Sequence, residues 1–381
     1  MLETYLLRYY NKLDDLFSPG SVLVIYGPRQ VGKTTLLHHY LAQGSHRYKL
    51  DSGDNLQVRT LLEGADFETI ADYVAGYDLI VIDEAQKIPR IGEVLKIMVD
   101  QHPHLRVIAT GSSSFELAGQ VGEPLAGRKK TLTLYPFSQL ELSHYHNPLE
   151  LKQHLADWLI YGSYPQVVAA TSKAEKRSRV VEITESYLLK DILAFDKIKN
   201  PKVLLDLLRL LAFQIGNEVS LTELAQKLMI NSKTVARYID LLEKTFVLYN
   251  LRGFSRNLRN EVVKKSKYYF YDVGIRNALI ANFNAFELRD DVGCLWENFL
   301  FMERLKKQAY HDVSVNYYFW RTWDQKEIDL IEEREGKLWG YEFKWGKKTV
   351  KAPKAWLETY SNASFTVINQ KNYQDFVGKG A

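Results

Sequence analysis

The first third of the chain alternates two kinds of segment. Ser21-Val22-Leu23-Val24-Ile25-Tyr26, Leu79-Ile80-Val81-Ile82 and Leu105-Arg106-Val107-Ile108-Ala109-Thr110 are short apolar, β-branched runs. Continuous runs of that length suit strands buried on both faces of a parallel sheet. Between such runs the apolar positions fall at helical spacing, as in Thr35 to Leu41, which follows the first run after a glycine-rich loop. Strand, loop and helix in that order predict an α/β core. Met1 to Phe17 mixes Glu3, Arg8, Lys12, Asp14 and Asp15 among apolar positions and predicts an amphipathic helix.

Beyond the core the period changes. Leu151 to Ala194 is helical, interrupted at Gly162 to Pro165, and suits a small helical lid. Val203 to Ile215 is an apolar helix, and Ser220 followed by Glu223 makes a capping box for the next one. Two short helices joined by Met229-Ile230-Asn231, with Phe246 to Leu251 and Tyr268 to Tyr271 as strands of a wing, predict a winged helix-turn-helix. The end of the chain alternates at period two, in Glu327-Ile328-Asp329-Leu330-Ile331 and Gly340-Tyr341-Glu342-Phe343-Lys344. The expected parts are a core over 1–145, a helical lid over 146–200, a winged helix over 201–275 and an α/β domain over 276–381.

Composition narrows the setting. The 381 residues are 46% hydrophobic and 25% charged, which is ordinary for folded domains and excludes a largely disordered chain. A net charge of +4 is too weak to imply nucleic acid by itself, so local clusters must carry that argument. With Cys294 as the single cysteine there is no internal disulfide and no cysteine-built zinc site, which fits a reducing cytoplasm. No run approaches the roughly 18 to 20 apolar residues needed to span a bilayer, so no membrane contact is expected except through a partner.

The loop Gly27-Pro28-Arg29-Gln30-Val31-Gly32-Lys33-Thr34, followed by Thr35, has the spacing of a phosphate-binding P-loop between a strand and a helix. Backbone N–H groups at a helix N-terminus can wrap phosphates, and glycines permit the close approach. Lys33 would reach the β- and γ-phosphates of ATP, and the Thr34 hydroxyl would ligate Mg²⁺. Asp83 and Glu84 follow the second apolar run, where Asp83 can hold Mg²⁺ and Glu84 can polarise the attacking water. Thr110 or Ser112, in Thr110-Gly111-Ser112-Ser113-Ser114, is placed to sense the γ-phosphate, unless the segment is a serine-rich turn. Arg128 is an arginine-finger candidate, acting in cis or across a subunit interface, or else a solvated basic turn.

Walker A, Ile82-Asp83-Glu84-Ala85-Gln86, Thr110-Gly111-Ser112-Ser113, Gly127-Arg128 and Pro136-Phe137 resemble the bacterial and archaeal AAA-like ATPases that end in the domain called DUF4143. Tyr161-Gly162-Ser163-Tyr164-Pro165 and Lys190-Asp191-Ile192 are similar to that family's middle region. The resemblance covers essentially the whole chain. It implies a P-loop NTPase sheet with a helical lid, then a winged helix and a restriction-endonuclease-like end.

In the middle, Lys233, Arg237 and the wing cluster Arg252, Arg256, Arg259, Lys264, Lys265 and Lys267 could contact DNA phosphates, with Asn231 or Ser232 nearest base edges. A module that packs only on its own chain or on a protein partner is equally compatible. At the end, Asp329, Glu342 and Lys344 resemble a PD-(D/E)xK nuclease pattern, with Ile328 where the proline of the name would stand. In that chemistry Glu297, Asp329 and Glu342 would hold Mg²⁺ and Lys344 would orient water. The same alternation also arises in hairpins whose charges only solvate an outer face. Two functions therefore stay open: an ATPase that also cuts nucleic acid, and a nucleotide-gated switch whose C-terminal domain is inactive. The oligomeric state is open as well.

Overall fold

A computed structural model describes residues 5–64, 66–112, 125–186, 200–254, 266–322 and 326–378. The chain forms two compact units, Met1–Tyr135 with Lys244–Phe246, and Pro136–Glu243 with Val247–Ala381.

The first unit is built on β1 (Ser21–Tyr26), β2 (Tyr48–Ser52), β3 (Leu79–Asp83), β4 (Arg106–Gly111) and β5 (Lys129–Thr133), in the order β2-β3-β4-β1-β5. Every pairing is parallel. The runs Val22 to Tyr26 and Leu79 to Asp83 are buried along their whole length, as strands covered on both faces must be. Helices α1 (Lys33–Gln43), α2 (Leu56–Glu63), α3 (Phe67–Val74) and α4 (Ile91–Gln101) complete the unit. Asn55 and Asp66 cap α2 and α3 by accepting from the backbone N–H of Gln57 and Thr69. Because all five strands run the same way, their carboxyl ends share one edge, and the glycine loop, Asp83 and Thr110 all emerge there.

The expected amphipathic helix over Met1 to Phe17 does not form among the described residues. Only Leu13–Leu16 makes a short 3₁₀ turn. Arg8 lies in the irregular stretch before it and is buried, donating to the carbonyls of Val31 and Tyr135. The buried guanidinium is thus fixed to carbonyls distant in the chain, where an amphipathic helix would have turned it to solvent.

In the second unit, α5 (Pro148–Tyr161) starts at a reciprocal cap in which Asn147 accepts from Leu149 and Glu150 while Glu150 accepts from the Asn147 N–H. Then come α6 (Lys173–Thr184), α7 (Pro201–Phe213), α8 (Leu221–Leu228), α9 (Ser232–Lys244), α10 (Val273–Leu279) and α11 (Val292–Tyr310). A seven-stranded sheet holds β6 (Glu218–Val219), β7 (Leu248–Gly253), β8 (Ser266–Phe270), β9 (Asn316–Arg321), β10 (Glu327–Arg334), β11 (Lys337–Phe343) and β12 (Ala363–Ile368). Its order is β12-β11-β10-β9-β7-β8-β6. The β7–β8 hairpin, expected as a wing, is thus continuous with the strands of the C-terminal region, through parallel pairing of Arg252 with Tyr318 and Gly253 with Phe319. Lys190-Asp191-Ile192 lies outside the described residues.

The Tyr161-Gly162-Ser163-Tyr164-Pro165 segment has a structural reason. Gly162 ends α5 at a φ of +79°, and a Cβ there would lie 1.9 Å from an oxygen of Asp272. The Asp272 carboxylate accepts from the Ser163 N–H at 2.8 Å and from Gly274 N–H at 2.8 Å, so it caps α10 and fixes the end of α5 together. Asn277 adds two bonds to the carbonyls of Leu159 and Ile160, at 3.0 and 2.8 Å. Gly162→Ala is expected to destabilise this unit by about 3 kcal/mol, the scale of a strained backbone plus a broken buried hydrogen-bond network. Urea unfolding checks it; an unchanged midpoint would show that the corner tolerates a side chain.

Candidate functional site

Gly27 leaves β1 at a φ of +149°, where a Cβ would sit 2.0 Å from the Leu134 carbonyl oxygen, so only glycine fits. The loop then turns through Gln30 and Gly32, both at positive φ, into α1. Lys33 is only 5% exposed, and its ammonium folds back to donate to the carbonyls of Gly27 at 2.8 Å and Pro28 at 2.9 Å. Burial pulls its pKa down to about 8, against the raising charges of Glu84 and Asp83. Gly27, Pro28 and Val31 are buried, while Gln30, Thr34 and Thr35 are exposed and Arg29 is intermediate.

Thr34 Oγ1 donates to Asp83 Oδ2 at 2.7 Å, joining the start of α1 to the end of β3. Thr110, at the end of β4, donates to the other oxygen, Oδ1. Glu84 stands at a φ of +49°, with its N–H turned to Asp83 Oδ1 at 3.1 Å and Thr110 Oγ1 at 3.3 Å. Its carboxylate accepts from Gln86 Nε2 at 2.7 Å, and the same amide reaches Ser112 Oγ at 3.2 Å. Thr110 thus holds Asp83, and Ser112 joins the amide that holds Glu84. Ser113 and Ser114 lie outside the described residues.

The second constellation collects carboxylates from α11, β10 and β11. Glu297 accepts from Tyr269 and, at 3.1 Å, from Lys267 Nζ, which also pairs with Glu327. Asp329 Oδ2 accepts from the Phe343 N–H at 2.7 Å, and Lys344 Nζ meets Glu342 Oε1 at 2.5 Å. Burial, reinforced by the charges of Glu297 and Glu342, holds the Asp329 carboxyl well above the usual carboxylate range. Burial also raises Glu342, although Lys344 opposes it. Among the described residues, no three His, Cys, Asp or Glu side chains come together as a metal cage. A cavity of about 380 Å³ opens beside the cluster, with Glu327 and Glu342 in its wall among Lys326, Lys351 and Lys354.

Residues 19–143 match the family described as AAA domain, and residues 292–379 match the domain of unknown function DUF4143. The chain carries an AAA domain and a C-terminal DUF4143 domain. Residues 152–285, between them, match the domain of unknown function DUF8612. An uncharacterized protein of Mycobacterium tuberculosis is 29% identical over 85% of this chain and 70% of its own length. One from Haemophilus influenzae is 25% identical over 87% and 84%, and one from Methanocaldococcus jannaschii is 22% identical over 84% and 74%. Among solved structures, that of the Aeropyrum pernix ORC1 protein in complex with DNA covers 74% of this chain and 94% of that chain, at 15% identity. Its TM-score of 0.35 is too low to carry an argument.

Several expectations change against this geometry. Arg128 precedes β5, whose pairing sets Lys129 beside Val22, so it lies at the amino-terminal edge of the AAA sheet. That is roughly 20 Å along the strands from the glycine loop, at about 3.3 Å per residue. It pairs there with Asp100 of α4, and a finger acting on its own chain's nucleotide is out of reach. Lys267 is buried between carboxylates and cannot serve the wing as a phosphate contact. Asn231 uses its side-chain oxygen to accept from the Thr234 N–H at 2.7 Å, ahead of α9. Ser220 accepts from Glu223 N–H, which is the forward half of the expected capping box. Arg256, Arg259, Lys264 and Lys265 lie outside the described residues.

Arg8, Gln86, Lys267 and Glu327 contribute to these sites without having been singled out for them. Gln86, two residues after Glu84, and Glu327, two residues before Asp329 on the same strand, carried a local signal; Arg8 and Lys267 come from distant segments. Gly53 is a fifth such residue: it donates its N–H to the Asp83 carbonyl, and a Cβ would lie 2.3 Å from the Glu84 carbonyl oxygen. Because the Arg128–Asp100 pair is half-exposed, Arg128→Ala is expected to cost less than about 1 kcal/mol. Any nucleotide turnover at concentrations where the chain is monomeric should stay within about twofold of wild type. A far larger loss in the monomer would return Arg128 to the site.

Proposed function

We propose that the chain binds and hydrolyses ATP with Mg²⁺ in its AAA domain and uses the nucleotide state to govern a DNA-associated second unit. The observation that carries this reading is the Thr34–Asp83 hydrogen bond, with Lys33 buried at the start of the same helix. Two oxygen ligands side by side at a helix N-terminus suit a divalent ion bridged to phosphates. Thr34 and Asp83 would hold that ion, which would neutralise phosphate charge. The donors from Gly27 to Thr35 would cradle the phosphates, and Lys33 would exchange its two carbonyl acceptors for phosphate oxygens. Glu84 would take the role of orienting and deprotonating the attacking water, positioned by Gln86. Arg128 remains a proposal only across a subunit interface.

DNA association is supported by Lys233 and Arg237, exposed and one helical turn apart on α9. No helix among the described residues is long and apolar enough to cross a membrane. The reading places the protein in the cytoplasm, with a protein partner as the alternative to DNA. A second reading, a nucleotide-gated switch with an inactive C-terminal domain, is favoured by the ammonium lodged among Glu297 and Glu327.

Two measurements test the nucleotide reading. ATP turnover should fall by at least about 100-fold in Lys33→Ala and in Glu84→Gln, with only the latter retaining ATP. Double-stranded DNA should raise wild-type turnover; low turnover that DNA leaves unchanged would favour the switch, and turnover that survives both substitutions would remove the ATPase.

The pH dependence follows from Lys33. Free protein loses that proton above a pKa of about 8, while bound phosphate would return counter-charge and hold it. The complex then carries the extra proton, so affinity is greatest below pH 8 and falls above it, by up to about tenfold per pH unit. Calorimetric titration with ATP from pH 7 to 9.5 reads this; a flat profile would show that Lys33 does not meet the phosphates.

A further inference from the structure

The resemblance to PD-(D/E)xK nucleases implies a divalent metal at Glu297, Asp329 and Glu342, and the side chains present do not fit one. Lys267 comes from β8, in the hairpin that continues the C-terminal sheet, and its side chain is 2% exposed. Its ammonium donates to Glu297 Oε1 at 3.1 Å, pairs with Glu327, and lies 5.5 Å from the centre of the Phe319 ring. The oxygens a metal would need are engaged only in part, since Glu342 Oε2 is buried with no hydrogen-bond partner among the described residues. Glu297 Oε1 takes both Tyr269 and Lys267, and Asp329 Oδ2 takes the Phe343 N–H. A hard cation such as Mg²⁺ demands several oxygens at near-ideal octahedral positions. Placing it beside a buried ammonium adds like-charge repulsion in a medium that screens poorly.

We propose that Lys267 is the resident cation of this cluster: its ammonium balances Glu297 and Glu327 in place of a divalent ion, and the DUF4143 centre takes up no such ion while Lys267 is present. The inference does not rest on the nucleotide reading, since every residue in it belongs to the second unit. It assigns the centre to permanent ion pairing. Lys351 and Lys354, in the wall of the adjoining cavity, are then left to contact anions without metal-assisted cleavage.

The test titrates the full chain with Mn²⁺ in the absence of nucleotide, following heat and the Mn²⁺ electron-spin signal, for wild type, Asp329→Asn, Lys267→Met and Lys267→Met with Glu297→Gln. Wild type and Asp329→Asn should give identical isotherms. Lys267→Met, which keeps the aliphatic stem, should gain one site, and Glu297→Gln in that background should weaken it by at least about tenfold. The thermal midpoint of Lys267→Met should rise with added Mn²⁺, while that of wild type stays put. A wild-type site that Asp329→Asn removes would overturn the proposal, as would a folded Lys267→Met that gains none. Should Lys267→Met fail to fold, the wild-type and Asp329→Asn comparison decides alone.

Discussion

An ammonium taken out of water must be given back acceptors of comparable strength, and both centres of this chain are arranged around that constraint. In the first unit the group is Lys33, set at the start of a helix whose own N–H groups repel it. The loop carbonyls of Gly27 and Pro28 close over it at 2.8 and 2.9 Å. The tight exit from β1 at Gly27 puts those carbonyls within reach. The positive φ at that residue is therefore part of how the lysine is held, and not only a way for a ligand to approach.

In the second unit the same constraint runs through α11, a helix whose charged side chains are mostly buried. Glu297 meets Lys267, Glu303 meets Lys306 at 2.7 Å, and Arg304 makes a two-pronged pair with Glu332 at 2.6 and 3.0 Å. Lys306 also reaches the Phe137 carbonyl, and Glu303 accepts from the Gln139 N–H. One helix thereby holds the start of the unit's chain, the hairpin strand β8 and strand β10. Removing one member of such a pair leaves an uncompensated buried charge, which costs more than the pair contributes.

Much of this was legible where the signal is local. The runs at Val22 to Tyr26 and Leu79 to Asp83 became central parallel strands, and Gly27 to Thr34 with Asp83 and Glu84 came together at one sheet edge, because adjacency there follows from parallel order. What could not be read depends on contacts distant in the chain. Arg8 looked like one face of an amphipathic helix and instead serves carbonyls 23 and 127 residues away. Lys267 looked like one more cation of a basic wing, since nothing in its neighbourhood announces Glu297, 30 positions on. Arg128 was read as a finger candidate from its place in a basic turn ahead of a strand-like run, whereas the register of β5 with β1 decides which sheet edge it occupies.

The two buried lysines differ in one respect that separates what their sites can do. Among the described residues Lys33 has only neutral carbonyls as direct partners, so an anion entering the loop offers it a stronger acceptor than those it holds. Burial without a contacting carboxylate also leaves its proton loosely bound. Lys267 is buried too, but Glu297, Asp329 and Glu327 outweigh the burial and hold its pKa above the ordinary lysine value. No incoming phosphate improves on that, and a cation would have to displace it. A buried ammonium on carbonyls is therefore a poised site, and one among carboxylates is a closed one.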